Sequence, residues 1–396
     1  MRCRVALFLA VGLVLGVAGC KPENPDTVTA TAVDQPILND AGTMIREFYE
    51  PPVPPAEDVG VLTENLRQCT FSKEGGDYDP DVSPDGEWLV YASTRSAVRP
   101  DIYLQSVHGT VVTRKTTNPY SDIMPKFSPD GRLIAYASDR SGKWDIYVMP
   151  ANGPGEGTRV TEYVNEHAIH PAWHPSGELI AFSALNPSTR SWRLCVVPAV
   201  GGPVTVLAYG LYPEWSPDGK RLVCQRARHR GVRWYSVWTL DVRVDEEGRV
   251  LSVSRPTEIV GSSEWAAINP AFSPDGKRIV FASVHKSVVA RGQDRKLMGD
   301  DIWCVRTDGR GLIRLTVNNQ PDWSPVWTSE KDKPGVNGPI YFCSLVNGFR
   351  NVWSLRPLEV KDLDRIKSEA ETASPSARIL REHAEREARA RGEVGP

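Results

Sequence analysis

The sequence predicts an all-β chain: a six-bladed β-propeller of four-stranded blades, closed by an N-terminal strand. Three observations carry this. A seven-residue pattern, proline, any residue, an apolar or aromatic residue, then a Ser-Pro-Asp-Gly-type turn, recurs at Pro80–Gly86, Pro125–Gly131, Pro171–Gly177, Pro213–Gly219 and Pro270–Gly276. A sixth copy, Pro325-Val326-Trp327, keeps the strand and loses the turn, and the starts lie 45, 46, 42, 57 and 55 residues apart, the period of a four-stranded blade. Last, Gln68-Cys69-Thr70 matches the Arg-x-Thr of the fourth strands (Arg114–Thr116, Arg159–Thr161, Arg314–Thr316) yet precedes the first blade. The sixth blade has candidates for three strands only, so the early strand completes it and removes an open edge.

Met124 to Met149 displays one unit in full. Pro125-Lys126-Phe127 opens a strand. Ser128-Pro129-Asp130-Gly131 turns, because Pro presets φ, Asp bonds its own backbone and Gly accepts φ > 0. Leu133–Ser138 is an apolar second strand, Asp139–Gly142 a second turn, and Asp145–Met149 a third strand. Such a sheet needs neighbours to bury its faces. Blades are expected at 79–117, 124–162, 170–208, 212–259, 269–316 and 324–357.

Before them, Met1–Arg4 is basic and Val5–Ala18 is an apolar run too short to span a bilayer comfortably. Val17-Ala18-Gly19-Cys20 resembles the bacterial lipobox. That resemblance implies cleavage before Cys20, acylation of Cys20 and, with Lys21 after it, an outer-membrane anchor. Residues 20–65 read as a proline-rich tether, stiffest at Pro51–Pro55. The expected organisation is thus a signal peptide at 1–19, the anchored tether at 20–65, the propeller at 66–358 and a charged, helical or disordered tail at 359–396. The tail has good helix propensity and too few apolar residues for a buried stripe.

Charge excludes one class of partner: 47 Lys+Arg against 49 Asp+Glu leaves no global field for nucleic acid. Of seven cysteines, five remain after Cys3 and Cys20: Cys69, Cys195, Cys224, Cys304 and Cys343. Cys195 and Cys224 fall at the strand positions of Tyr147 and Tyr136, where buried thiols are expected. A disulfide is chemically permitted in an oxidising compartment, but an odd number leaves at least one thiol unpaired.

The recurrent Pro-x-[Phe/Trp]-Ser-Pro-Asp-Gly, the Tyr-Ala-Ser strand ends (Tyr91–Ser93, Tyr136–Ser138) and Asp-Ile-Tyr or Asp-Ile-Trp at Asp101, Asp145 and Asp301 resemble the PD40 (WD40-like) repeats of TolB-type six-bladed propellers. The likeness covers about Leu66 to Pro357. It implies the propeller fold and, since TolB is a periplasmic partner of a peptidoglycan-associated lipoprotein, a role in outer-membrane integrity. The same repeat also serves peptidase propellers. The chain departs from TolB in lacking an α/β domain before the propeller and in carrying its own predicted anchor.

There is no Gly-x-Ser-x-Gly elbow, His-Glu-x-x-His or P-loop. The expected function is therefore a non-catalytic, cofactor-free, monomeric interaction platform of the cell envelope, held to the membrane through Cys20. The alternative is a propeller enzyme, a metal-dependent lyase or hydrolase of envelope or extracellular polymers, with its site in the central channel. Channel candidates are His167 and His170, with Asp79, Asp122, Asn269 and Asp322 near the matching places of other blades. Either they hydrogen-bond within a wet channel or they hold a divalent cation. A partner surface is expected on the loops between second and third strands of two adjacent blades. These carry Arg226, Arg228, His229, Arg230 and Arg233 in one, and Lys286, Arg291, Arg295 and Lys296 in the other. Their positive charge suits an acidic envelope protein or an anionic envelope polymer.

The anchor is checked directly. Cys20→Ala should abolish incorporation of radiolabelled palmitate; labelling at wild-type level in that variant would disprove acylation at Cys20.

Overall fold

The computed structural model describes residues 63–153, 157–227, 235–245, 248–262, 265–285, 301–316, 320–331, 333–346 and 348–357. The predicted signal, most of the tether, the tail, and Arg228, His229, Arg230, Arg233, Lys286, Arg291, Arg295 and Lys296 lie outside them.

The described residues form six antiparallel sheets arranged as a ring of blades. Strand β1 (Thr63–Gln68) comes first. The first blade is β2 (Asp77–Val82), β3 (Trp88–Ser93), β4 (Asp101–Ser106) and β5 (Val112–Arg114). The second is β6 (Asp122–Phe127), β7 (Leu133–Ser138), β8 (Asp145–Pro150) and β9 (Thr158–Arg159). The third is β10 (His167–Trp173), β11 (Leu179–Asn186), β12 (Ser191–Pro198) and β13 (Thr205–Tyr209). The fourth holds β14 (Leu211–Trp215), β15 (Arg221–Ala227), β16 (Tyr235–Val244), β17 (Val250–Val253) and β18 (Thr257–Val260). The fifth is β19 (Trp265–Phe272), β20 (Arg278–His285), β21 (Ile302–Arg306) and β22 (Ile313–Arg314). The sixth sheet runs β1, β25 (Phe349–Pro357), β24 (Lys333–Val346), β23 (Asp322–Glu330).

The apolar residues collect in six wedges, one at each junction between neighbouring blades. Alternation along a strand explains how. In β3, Leu89 and Tyr91 pack toward the sixth blade with Val326 and Tyr341, while Val90 and Ala92 pack toward the second with Ile134 and Tyr136. Each blade is thus sandwiched, and none has a face that folds alone. The five described cysteines sit in these wedges as buried free thiols.

One expectation is corrected. The first strands begin two to four residues earlier than the expected blade starts at Asp79, Met124, His170 and Asn269, because each runs through its proline instead of starting there. A proline has no N–H to give the ladder, so the strand survives only by bulging, and a register shift falls at that point in all six blades. The fourth sheet also carries a fifth strand. β16 overruns its blade and pairs through Val242–Val244 with β17 as an extra hairpin, while β18 takes the fourth-strand place against Val237–Thr239.

The Arg-x-Thr of the outer strands has a definite job. In the second blade Thr161 Oγ1 accepts the Ile146 N–H at 3.0 Å and donates to Asp145 at 2.8 Å, and Arg159 pairs with the same carboxylate at 2.9 Å. Thr116, Arg114 and Asp101 repeat this in the first blade, with Arg114 at 2.6 Å from Asp101. Arg314 and Thr316 repeat it around Asp301 and Ile302 in the fifth. In the sixth, Thr70 accepts from Val352 N–H at 2.9 Å and donates to Asn351, while Gln68 stands where the arginine would. A buried N–H and a buried acid are satisfied by one short outer strand.

Thr161→Val keeps the shape, strands the Ile146 N–H and takes a donor from Asp145. It should cost about 1–3 kcal/mol in urea unfolding. An unchanged midpoint would mean the outer strand is not held this way.

Candidate functional site

The residue before the first proline of each repeat has a left-handed backbone: Asp79 (φ 49°), Met124 (56°), His170 (55°), Tyr212 (53°), Asn269 (50°) and Ser324 (50°). These account for six of the seven non-glycine residues in that conformation among the described residues. A following proline disfavours the right-handed helical region for its predecessor, and the bulge takes up the left-handed one at roughly 1–2 kcal/mol each. The geometry re-aims these side chains. All six line a central cavity of about 70 Å³, one from each blade.

The ring is closed by specific contacts. Ser324 Oγ donates to Asp79 at 3.2 Å, and the Met124 N–H also reaches that carboxylate. The His170 and Tyr212 rings lie with centroids 3.5 Å apart. The Tyr212 hydroxyl bonds the Asn269 side chain, and the Asn269 N–H donates to Gln225 at 2.8 Å. The residues after the prolines form a second layer. There Lys126 Nζ lies 3.3 Å from Asp81 and 3.9 Å from Glu214, and Asp81 also accepts the Phe127 N–H at 2.8 Å.

Burial sets the protonation states. It raises Asp79 from 3.8 to about 6 despite Ser324, Lys126 and the Met124 N–H, and it also raises Asp81 and Glu214. Burial pulls Lys126 down, but the Asp81 and Glu214 charges outweigh it, so the ammonium is held above its usual range. Burial drives His170 well below its usual value, so its ring is neutral at pH 7.

The channel candidates divide evenly. Asp79, His170 and Asn269 line the cavity. Asp122, His167 and Asp322 do not, because each sits two or three residues too early on its strand, before the bulge. Asp122 is fully buried and accepts from Asn118 Nδ2 at 2.8 Å. Asp322, also buried, is opposite Ser344 on β24. His167 Nδ1 accepts the Trp144 N–H at 3.3 Å at the edge of the third blade. Met124, Tyr212, Ser324, Lys126 and Glu214 also line the cavity, and their residue types alone do not mark them for it. The usable signal was position: the residues flanking each repeat's first proline. Of the expected basic surface, Arg226 is described, and it stacks over Trp238 at 5.0 Å, half-buried at the end of β15.

Chemically this is a small, half-open site, walled largely by prolines with a few polar groups set among them. Among the described residues no group of three or more His, Cys, Asp or Glu side chains converges to hold a metal ion. His170 Nδ1 lies 3.1 Å from Ser183 Oγ, but Ser183 is fully buried and its oxygen already accepts the Tyr212 N–H at 3.0 Å. That pair is structural, since a nucleophile must reach its substrate. The cavity holds a few waters or an ion and is far below the roughly 300 Å³ and more of a small-molecule pocket.

Around the rim, one face carries the loops into each first strand and those between second and third strands. Phe71, Tyr120 and Tyr163 from the former, and Val98 and Phe349 from the latter, are exposed there, Tyr163 at 76% and Val98 at 98%. These belong to the sixth, first, second and third blades.

Comparison with known proteins agrees with this architecture. Residues 59–251 match the TolB beta propeller domain, PD40. An uncharacterized protein of Agrobacterium fabrum is 30% identical over 174 residues, 43% of this chain and 49% of that one; the chain spans about half the length of this curated relative. A TolB-like structure from Agrobacterium tumefaciens superposes with a TM-score of 0.51 at 20% identity, over 75% of this chain and 100% of that one. An oligogalacturonate lyase from Vibrio parahaemolyticus gives 0.45 at 13% identity, over 76% and 94%.

Asp79 makes a pH prediction. Its folded value lies above its unfolded one, so the folded state binds the proton more tightly. Its unfavourable contribution is absent below about pH 4 and complete above about pH 6. Wild-type stability should therefore fall by roughly 3 kcal/mol across that window from this group, and Asp79→Asn should remove that step. Parallel stability profiles for the two proteins would refute the assignment.

Proposed function

We propose that this chain, which carries a TolB-type β-propeller domain, is a non-catalytic protein-interaction platform of the bacterial cell envelope. The observation that carries this reading is the rim: five large apolar side chains stand exposed on one face, across four consecutive blades. Exposed aromatic groups on a rigid scaffold's loops are the usual anchors of a protein interface. The channel behind them is too narrow for a polymer chain and its Ser–His contact is closed off, which supports binding over catalysis. The signal segment ending at Cys20 supports an anchored protein facing the periplasm, where tether and propeller reach a partner within the envelope.

The test is cross-linking of the anchored protein in its own membranes, followed by identification of the captured species. Phe71→Asp and Tyr163→Asp should each lower capture of one defined partner about tenfold. Val111→Asp, exposed on the opposite face, should leave it unchanged. Equal capture by all three variants would place the partner elsewhere.

A further inference from the structure

One outer strand is unlike the rest. β13 reads Thr-Val-Leu-Ala-Tyr and is five residues long, against three for β5 and two each for β9 and β22. It has no Arg-x-Thr clasp. It pairs with β12 on its inner side and with no described strand on its outer side, so its outward N–H and C=O groups are open to a further strand. A bulge at Leu207 lets Leu207 and Ala208 both lean on the wedge that also holds Val250 and Val253 of β17. Val206 and Tyr209 stand across from Cys195 and Arg193, on the side toward the second blade. There β9 is too short to cover them. Val206 is left 48% exposed and Tyr209 54%, and Val200, in the turn before β13, 91%.

We propose that this edge is a self-association site: β13 pairs with β13 of a second copy of the chain, antiparallel, about a two-fold axis near Leu207. Charge selects the occupant. The sequence from Leu194 to Pro213 holds no charged residue, so a charged segment of another protein finds nothing there to pair with. A two-fold pair sets the strand against itself, and an uncharged strand meets itself without like charges opposed. The other outer strands are guarded. β5, β9 and β22 each carry an arginine and β18 carries Glu258. β1 is charged too, and its Arg67 reaches across to the Val107 carbonyl of the first blade at 3.2 Å. β17, the remaining uncharged strand, is bracketed by Arg249 and Arg255. Pairing over five residues, with Val200, Val206 and Tyr209 covered, buries roughly a few hundred Å² per copy, below the roughly 800 Å² of a lasting complex. The dimer is therefore a weak, exchanging one, with a dissociation constant on the order of 10–100 µM. It leaves the loops of the rim face free, so its test and partner capture succeed or fail separately.

The experiment is sedimentation velocity of the chain from position 20 onward, carrying Cys20→Ala so that no acyl chain is added, from about 2 µM to about 200 µM. The sedimentation coefficient should climb from the monomer toward the dimer over that range. Val206→Lys places a charge on the edge and should raise the dissociation constant at least about tenfold, with the melting temperature held within about 2 °C. Val111→Lys, exposed on the first blade, should leave association unchanged. A second measurement does not depend on Val206. Antiparallel pairing about Leu207 sets Thr205 of one copy opposite Tyr209 of the other. Thr205→Cys and Tyr209→Cys proteins, mixed in a glutathione redox buffer, should thus give at least about five times more disulfide-linked dimer than either alone. The five described native thiols are buried and do not compete. A pure monomer at the highest concentration, a dimer that Val206→Lys leaves intact, or no preference for the mixed disulfide would each overturn the proposal.

Discussion

Everything near the axis depends on the strain at one backbone position, the left-handed residue before each proline of the innermost strands. The clash between the proline ring and its predecessor, and the missing N–H, make a regular strand impossible there. The chain answers with a bulge, and the bulge swings the residue before the proline toward the axis. Repeated six times, this produces a ring of six side chains from six sheets that pack against one another through their flat faces. Residues as different as Met124, Tyr212 and Asp79 share the conformation, so the constraint comes from the prolines and not from the side chains themselves.

The outer edge is held by a different device. An outer strand of only two or three residues has few ladder bonds, so Arg-x-Thr supplements them with a side-chain network on the aspartate that opens the third strand. The network changes charge without losing its place. Asn351 and Gln68 use a neutral version in the sixth sheet. In the third blade Arg193 occupies the aspartate's position and pairs with Glu166. Where the outer strand is this short, little open edge is left for another chain to add to.

Between these two devices the blades differ where function can differ. The wedges of apolar residues are alike at all six junctions. The axis and the rim are not: charge collects on the first, second and fourth blades, through Asp81, Lys126 and Glu214, while Ala172 and Ala271 keep the third and fifth small. Among the described residues, exposed aromatic groups likewise occupy only part of the rim. A uniform scaffold thus presents an uneven surface.

Six blades, their turns and the alternation of their strands were legible in the sequence, because Ser-Pro-Asp-Gly and period-two patterning are local chemistry repeated in register. The role of Thr161 could be suspected from its recurrence, but its contact with Ile146 spans two strands and appears only in three dimensions. The channel was half legible. Asp79, His170 and Asn269 announced themselves as polar residues near each repeat, whereas Asp122, His167 and Asp322 looked equivalent and are turned into the sheets. The proline marks the place of the bulge, but that the residue before it turns to the axis, and those two or three places earlier do not, shows only in the folded strand. The sequence by itself therefore determined the repeat, the turns and which residues are apolar. Only the tertiary structure decided which six residues meet at the axis, because that meeting is made by strands some forty to sixty residues apart, closed around a common centre.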